Sequence, residues 1–192
     1  MVMSMRAFIA VEIEDKDTLI NIIRIRDALV NLGLDIKPVE DENLHITMRF
    51  LGEISSHTIE GIKKILSSIP SIIKSFSITV KGIGAFPSIS RPRVIWVGIV
   101  DGADKLTLIR NYIDREIARM KLNEVHRDQH DFSPHITLAR IKSFKNIEKF
   151  KEFYNGYQDY LFGTSPVSLI KLKQSILTPQ GPIYKDIYYI RI

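Results

Sequence analysis

Residues 45–50 read His-Ile-Thr-Met-Arg-Phe, and residues 135–140 read His-Ile-Thr-Leu-Ala-Arg. In a β-strand, successive side chains point to opposite faces, so His-x-Thr places its two polar side chains together and the apolar one behind them. This alternation predicts that His45, Thr47 and Arg49 share one face of a strand whose other face is buried. Two near-identical strands of this kind predict that one structural unit occurs twice in the chain.

The second strand repeats the pattern at its start but not at its end. His135 and Thr137 share a face, while strict alternation places Arg140 on the opposite one. Arg140 reaches the polar face only if the strand contains a bulge or ends there, and a structural salt bridge is an equally good interpretation. We keep Arg140, together with Arg49, as a candidate substrate contact.

Both motifs occur at the same place in a repeated order of strands and helices. The elements predicted in the first half are a strand over 6–13, a helix over 16–32, the motif strand over 44–51, a helix over 56–69 and a strand over 75–86. Those predicted in the second half are a strand over 93–99, a helix over 103–121, the motif strand from 135, a helix over 145–155 and strands over 166–177 and 184–192. Two such units packed about a pseudo-twofold axis would bring both motif strands to one cleft.

The chain is predicted to form a single domain, residues 1–192, made of two lobes. The proline-flanked connector at 87–92 marks the boundary between an N-terminal lobe of about residues 1–88 and a C-terminal lobe of about residues 89–192. We leave open an exchange of terminal strands between the lobes.

Composition limits the partners and the location of the protein. The chain has 192 residues, 45% of them hydrophobic and 26% charged, which is ordinary for a globular protein with a sizeable core. A net charge of +5 favours an anionic partner such as nucleic acid, although many basic proteins bind none. Cysteine is absent, and no apolar run approaches the roughly 20 residues of a membrane span. We therefore expect a cytoplasmic protein, with a monomer as the default state.

Two histidines and two threonines in one cleft suit acid–base chemistry on a phosphate. Cleavage of a phosphodiester needs a base for the attacking oxygen and an acid for the leaving one, and a histidine, with a pKa of about 6.5, serves as either near neutrality. On opposite sides of the phosphorus, His45 and His135 would give an in-line arrangement. Thr47 and Thr137 would donate hydrogen bonds to the non-bridging oxygens, and Arg49 would add a charge-assisted contact. This scheme requires no metal or other cofactor.

Other histidines, and a single motif taken alone, have simpler interpretations. A lone His-x-Thr sequence is usually only part of a strand, and it is the second copy at the equivalent place that favours catalysis. His57 is predicted to be a solvated residue at a helix start. His126, His130 and His135 have a spacing that invites a zinc site, but the polar run with Pro134 predicts a loop and contains no glutamate spaced as in H-E-x-x-H. We predict no metal.

Five segments of the chain resemble the two-histidine (2H) phosphoesterases, and within them the RNA 2′,3′-cyclic phosphodiesterases, also called 2′-5′ RNA ligase-like proteins. In chain order they are RAFIAVEI, NLHITMRFLGE, GAFPSISRPRVIWVG, FSPHITLARIK and SILTPQGPIYKDI. The two His-x-Thr motifs are typical of the superfamily, and the flanking segments are typical of its RNA-processing branch. The resemblance runs the full length of the chain.

The resemblance implies an α+β fold of two duplicated strand–helix lobes, with antiparallel sheets about a pseudo-twofold axis and a central cleft. It implies hydrolysis of a 2′,3′-cyclic phosphate at an RNA 3′ end to a 2′-phosphate, with His45 as the proton donor and His135 as the proton acceptor. Thr47 and Thr137 match the phosphate-binding threonines of the family. Some members also join tRNA halves through a 2′-5′ linkage, which is the same chemistry in reverse.

Three other functions remain open from the sequence. The same cleft would suit an RNA-binding module that grips an RNA end with incidental turnover. It would also suit a related enzyme acting on small cyclic nucleotide phosphates. A metal-dependent hydrolase is the third alternative, and sensitivity to a chelator would reveal it.

Overall fold

The computed structural model describes residues 4–128, 131–179 and 181–192. In these residues the helices are α1 (Lys16–Val30), α2 (Ser56–Ser68), α3 (Ala103–Arg119) and α4 (Ile147–Tyr157). The strands are β1 (Ser4–Glu12), β2 (Ile36–Pro38), β3 (His45–Ser55), β4 (Phe76–Phe86), β5 (Val94–Ile99), β6 (His135–Ile141), β7 (Leu161–Val167), β8 (Leu169–Leu177) and β9 (Pro182–Arg191). All four predicted helices are present, whereas the strand predicted over 166–177 is two strands, β7 and β8, and β2 was not predicted.

Short polar side chains determine where the first two helices begin. The Asp15 carboxylate accepts a hydrogen bond from the Thr18 amide (2.8 Å) at the start of α1, and the Ser55 hydroxyl accepts one from the Thr58 amide (3.3 Å) at the start of α2. Such caps satisfy amide groups that have no partner inside a helix. None of the helices in the described residues is both long and apolar enough to cross a membrane.

The strands form one sheet whose order is symmetric about its centre. Across the described residues the order is β7-β4-β5-β6-β3-β1-β8-β9, and β2 pairs with part of β6. The two motif strands, β3 and β6, lie side by side at the centre and pair at Ile46 and Ile136, hereafter the central isoleucine pair. A pseudo-twofold axis through this pair relates β3-β1-β8-β9 to β6-β5-β4-β7.

Each half of the chain contributes strands to both sides of the sheet. β4 ends the first half of the chain but pairs with β5 and β7, while β8 and β9 from the second half are added beside β1. One continuous antiparallel sheet therefore crosses the centre and curls around it. The predicted α+β fold of duplicated units is confirmed. The lobe boundary near residue 88 stays a prediction.

The core lies on the face of the motif strands that is turned away from the histidines. Four side chains of β3 and β6 are fully buried there: Ile46, Met48, Ile136 and Leu138. They belong to one apolar cluster with the inward stripes of the helices, such as Ile62 of α2 and Ile113 of α3. Because this face is anchored by the core, the opposite face of the two strands is fixed as well.

Candidate active site

His45, the first residue of β3, is held in one orientation by the main chain. Its Nδ1 lies 2.7 Å from the carbonyl oxygen of Asn43, which can only accept a hydrogen bond, so Nδ1 carries the proton of the neutral ring. The unprotonated Nε2 lies 3.0 Å from the Thr47 hydroxyl, which donates to it. The rings of Phe8 and Tyr184 pack against the imidazole, with centroids 5.0 and 5.4 Å away. His45 therefore directs Nε2 toward the threonine of its own motif.

His135, the first residue of β6, is oriented in the same way. Its Nδ1 lies 2.7 Å from the carbonyl oxygen of Ser133, again two residues earlier, so this ring also carries its neutral proton on Nδ1. Phe86 and Trp96 pack against it, with ring centroids 5.0 and 6.1 Å away. Nε2 of His135 has no hydrogen-bond partner among the described residues and is available to a ligand.

The central isoleucine pair puts the two motifs on one face of the sheet. In an antiparallel pair, the neighbours of one residue lie opposite the neighbours of its partner. This register therefore places His45 beside Thr137 and Thr47 beside His135, with the two histidines diagonal across the pseudo-twofold axis. The structure brings together the four motif residues that the sequence predicted to share a cleft, and their chemical roles stay predictions.

A β-bulge in β3 moves Arg49 off this face. Thr47 and Arg49 face consecutive residues of β1, so Met48 is an extra residue in β3. At such a bulge two successive side chains point to the same side, and both Met48 and Arg49 are buried. The prediction that Arg49 shares the face of His45 is therefore wrong. The next residue, Phe50, returns to that face and packs against Phe8, 5.9 Å between ring centroids.

The side chain of Arg49 lies behind the sheet, where it meets helix α3 and the segment that precedes β6. Its Nε lies 2.7 Å from Asp114, its Nη1 lies 2.6 Å from Asp128, and its Nη2 donates to the carbonyl oxygen of His126 at 2.6 Å. These contacts give Arg49 a structural role behind the sheet, and its contact with substrate stays a prediction.

The equivalent bulge in β6 brings Arg140 to the histidine face. Thr137 and Ala139 face consecutive residues of β5, so Leu138 is the extra residue here. Ala139 then points to the core and Arg140 is exposed. Burial lowers the pKa of His135, and the positive charge of Arg140 lowers it further. Burial raises the pKa of Tyr184, and the charge of Arg140 opposes that rise. Of the two alternatives that the sequence left open for Arg140, the bulge is present. The other alternative, a salt bridge, is absent among the described residues.

Both imidazoles are neutral in the free protein at pH 7. Burial lowers the pKa of His45 from 6.5 to about 4, against the Asn43 carbonyl, which raises it. The positive charge of Lys173 lowers the pKa of His45 further. Burial also lowers the pKa of His135, against the Ser133 carbonyl. Each ring therefore presents an unprotonated Nε2 before a ligand binds.

Four alternating charges lie beside His45. Glu12 pairs with His45 across β1 and β3, and its carboxylate binds both Lys171 and Lys173. Asp186 closes the group at 3.0 Å from Lys171 and 2.6 Å from Lys173. Burial alone would raise the pKa of Glu12, but the hydrogen bonds from the two lysines hold that pKa below its usual value. The cluster is neutral overall, and Lys173 is 5% exposed.

Sequence reasoning did not single out Phe8 or Glu12 as neighbours of the site. Neither residue lies near a motif in the chain, and only the pairing of β1 with β3 brings them there. Of the histidines considered for a metal, His130 lies outside the described residues. His126 contributes its main-chain carbonyl to Arg49.

A family model described as LigT like phosphoesterase matches the chain twice, over residues 13–96 and 97–184. An RNA 2′,3′-cyclic phosphodiesterase of Aeropyrum pernix is 43% identical over 168 residues, which is 88% of this chain and 93% of that protein. A protein of the same name from Methanothermobacter thermautotrophicus is 33% identical over 190 residues, covering 99% of this chain and 100% of that protein. Similarity thus extends over both repeats.

Solved structures agree with this relationship at the level of the fold. A Thermus thermophilus protein superposes with a TM-score of 0.81 at 24% identity, covering 97% of both chains. Escherichia coli LigT complexed with 3′-AMP superposes with a TM-score of 0.73 at 23% identity, covering 99% of both chains. With its two matched repeats and its paired His-x-Thr strands, the chain belongs to the LigT-like phosphoesterase family of the 2H superfamily.

Proposed function

We propose that the protein hydrolyses the 2′,3′-cyclic phosphate at the 3′ end of RNA to a 2′-phosphate, without a metal ion. The observation that carries this proposal is the diagonal pair of imidazoles, each with Nδ1 bound to a carbonyl, so that Nε2 faces the Thr47 hydroxyl in His45 and has no partner among the described residues in His135. Relatives over nearly the whole chain bear the name of this activity. Two proton-transfer groups on one face are what cleavage of a phosphodiester requires.

In the proposed reaction, Nε2 of His135 accepts a proton from a water molecule whose oxygen attacks the phosphorus. The bond between phosphorus and O3′ breaks, and His45 gives its proton to O3′. The product is a 2′-phosphomonoester with a free 3′-hydroxyl, and the proton gained by His135 equals the one lost by His45. The assignment of donor and acceptor follows the family resemblance, and the diagonal placement of the rings supports an in-line path.

The threonines and Arg140 are proposed to bind the phosphate. Thr47 and Thr137 lie opposite the histidine of the other motif in the strand register, and their hydroxyls are proposed to donate to the non-bridging oxygens as charge develops. Arg140 is exposed on the same face, and its charge is unpaired among the described residues. A guanidinium donates charge-assisted hydrogen bonds to phosphate.

Because the pKa of His45 is low, substrate binding is needed to protonate this residue before it can act as the proton donor. A proton donor must be protonated when the leaving oxygen departs, yet the free protein keeps His45 neutral. A phosphate anion beside the ring favours the imidazolium, because opposite charge within a few ångströms raises the pKa of a histidine. The bound phosphate is therefore proposed to raise the pKa of His45, so that its imidazole is protonated and can donate this proton to O3′.

The proposal extends to the partner and the setting of the reaction. We include tRNA halves among the candidate substrates, together with reversible 2′-5′ ligation, in which a 5′-hydroxyl replaces water in the reverse reaction. We also propose that the protein acts as a monomer in the cytoplasm. The net charge of +5 supports an RNA partner.

The test uses a short RNA ending in a 2′,3′-cyclic phosphate, incubated with the protein in EDTA. Products are resolved as 2′-phosphate or 3′-phosphate. Formation of the 2′-phosphate alone is the expected result. A 3′-phosphate would reverse the assignment of the leaving oxygen, loss of activity in EDTA would contradict metal independence, and binding without any product would favour an RNA-binding module.

A further inference from the structure

Two arginines and two aspartates form a closed set of ion pairs behind β3, hereafter the ion network. Arg49 contacts one oxygen of Asp114 at 2.7 Å and one oxygen of Asp128 at 2.6 Å. Arg110 contacts the other oxygen of each carboxylate, at 2.6 and 2.5 Å. Both arginines are buried, with 3% and 7% of their surface exposed. Removing one carboxylate would therefore leave buried positive charge only half neutralised.

The ion network joins three parts of the chain: β3, helix α3 and the segment between α3 and β6. Arg110 of α3 donates from Nη1 to the carbonyl oxygen of Met48 (2.9 Å), the extra residue of the β3 bulge. Arg49 of β3 donates to the carbonyl oxygen of His126, and Asp128 belongs to the same segment. The bulge that follows Thr47 is thus fixed to the segment that leads to the second motif.

Two described residues just before β6, Phe132 and Ser133, link the ion network to His135. The guanidinium of Arg110 lies over the ring of Phe132, 5.4 Å from its centroid, in a cation–π contact. The next residue, Ser133, supplies the carbonyl oxygen that binds Nδ1 of His135 at 2.7 Å. Phe132, which contacts the ion network, is therefore the direct neighbour of Ser133, whose carbonyl oxygen orients the imidazole of His135.

We propose that Asp128 is a positioning residue for His135. By tying the segment to Arg49 and Arg110, it fixes the Ser133 carbonyl, and through it the orientation of His135 relative to Thr47. The inference rests on the proposed function, since it concerns the rate at which His135 acts. A misplacement of about 1 Å at a reacting group costs about 10²-fold in rate.

Asp114 provides a matched control. Each aspartate makes one contact with each arginine, and each side chain is 38% exposed. Asp114 lies in α3, whereas Asp128 lies in the segment that leads to His135. Asp128→Asn and Asp114→Asn therefore remove equivalent ion pairs, and only the first removes a contact made by a side chain of the segment itself, while the contacts of His126 and Phe132 are present in both variants.

The experiment compares kcat, KM and Tm of the two variants on the cyclic-phosphate RNA. Similar losses of Tm are expected, together with a fall in kcat of about 10–100-fold for Asp128→Asn at little change in KM, and a much smaller fall for Asp114→Asn. Equal kcat values at equal Tm would overturn the inference and leave a purely structural network. An inactive wild-type protein would instead count against the proposed function.

A second readout follows the imidazole itself. In the wild-type protein, ¹⁵N spectra of the histidine side chains should show neutral His135 with its proton on Nδ1, and Asp128→Asn should weaken this preference while leaving His45 unchanged. If Asp128→Asn does not fold, Asp128→Glu keeps the charge and displaces the segment by a methylene group. A folded Asp128→Glu variant with wild-type kcat and an unaltered His135 tautomer would contradict the inference.

Discussion

His45 and His135 occupy equivalent positions in two strands of nearly the same sequence, yet the residues opposite them are unlike. Glu12 of β1 pairs with His45, whereas Gly98 of β5 pairs with His135. Both rings bind a carbonyl two residues earlier through Nδ1. The duplicated motif therefore fixes where each imidazole points, while the neighbouring strand decides the charge and polarity around it.

The surroundings of the two rings differ accordingly. Beside His45 lie the paired charges of Glu12 and Lys173. Beside His135 lies the indole of Trp96, which packs so closely over Gly84 that a Cβ atom there would stand 2.2 Å from it. Each imidazole packs against two aromatic rings, but His45 lies beside a cluster of paired charges, whereas His135 lies near the charge of Arg140, which has no carboxylate partner among the described residues. Different surroundings suit the different roles proposed for the two histidines, whose assignment as donor and acceptor follows the family resemblance.

The largest effect is expected from removing either imidazole. His45→Ala and His135→Ala should each lower kcat by about 10²–10⁴-fold, because each removes one proton-transfer group. Initial rates on the cyclic-phosphate RNA measure this, and circular dichroism verifies the fold. His57→Ala removes an exposed imidazole at the start of α2 and should keep the wild-type rate. Full activity in either motif variant would show that one of the two strands is not catalytic.

The two arginines should separate stability from substrate binding. Arg49→Met removes one of the two buried arginines that Asp114 and Asp128 share, and should lower the free energy of unfolding by about 3 kcal/mol, or Tm by about 10 °C. Arg140→Gln should leave Tm unchanged because the side chain is exposed, and should lower kcat/KM by about tenfold or more through the lost phosphate contact. Thermal unfolding and steady-state kinetics measure both.

The reverse result for the arginines is equally informative. A large rise in KM for Arg49→Met, with Tm preserved, would mean that Arg49 leaves the core and reaches the substrate. An Arg140→Gln variant with wild-type kcat/KM would remove Arg140 from the proposed phosphate site. The first outcome would show that the bulge does not keep Arg49 behind the sheet, and the second that exposure on the histidine face is not sufficient for a phosphate contact.

The smallest effect is a displacement of the pH profile. The pKa of each histidine is lowered in the free protein, to about 4 at His45. The fraction of His45 that is protonated and able to act as the acid therefore falls as the pH rises above its pKa. Because kcat/KM reports the free protein, its alkaline limb should lie below pH 6.5, the ordinary value for histidine. The limb of kcat should lie higher, since bound phosphate raises the pKa of the imidazoles. A kcat/KM maximum above neutrality would contradict this assignment.

The alternation of side chains along a strand was sufficient to predict that each histidine shares a face with the threonine two residues later, Thr47 or Thr137, because no bulge lies between them. It was insufficient for Arg49 and Arg140. A bulge arises when two residues of a strand oppose one residue of its neighbour, and that count depends on the partner strand. The single-strand pattern therefore assigned Arg49 to the wrong face and left the face of Arg140 open.

Long-range contacts account for what else the sequence did not predict. The break between β7 and β8 lies at Ser168. The amide of Ser168 donates a hydrogen bond at 2.6 Å to the carboxylate of Glu14, which is 154 residues away in the sequence. Tyr184 packs against His45 although β9 lies at an edge of the sheet. Such contacts have no local signature, whereas the repeat, its helices and the paired motifs follow from short patterns that occur twice.

The joint action of the two motif strands on one phosphate is best examined with the His45→Ala/His135→Ala double variant, measured beside the two single variants. Groups that act as one unit show strongly non-additive losses, so the double variant should be little slower than the slower single variant. If the two losses instead multiply, the histidines act independently. That result would contradict a single catalytic site formed by both motif strands across the central isoleucine pair.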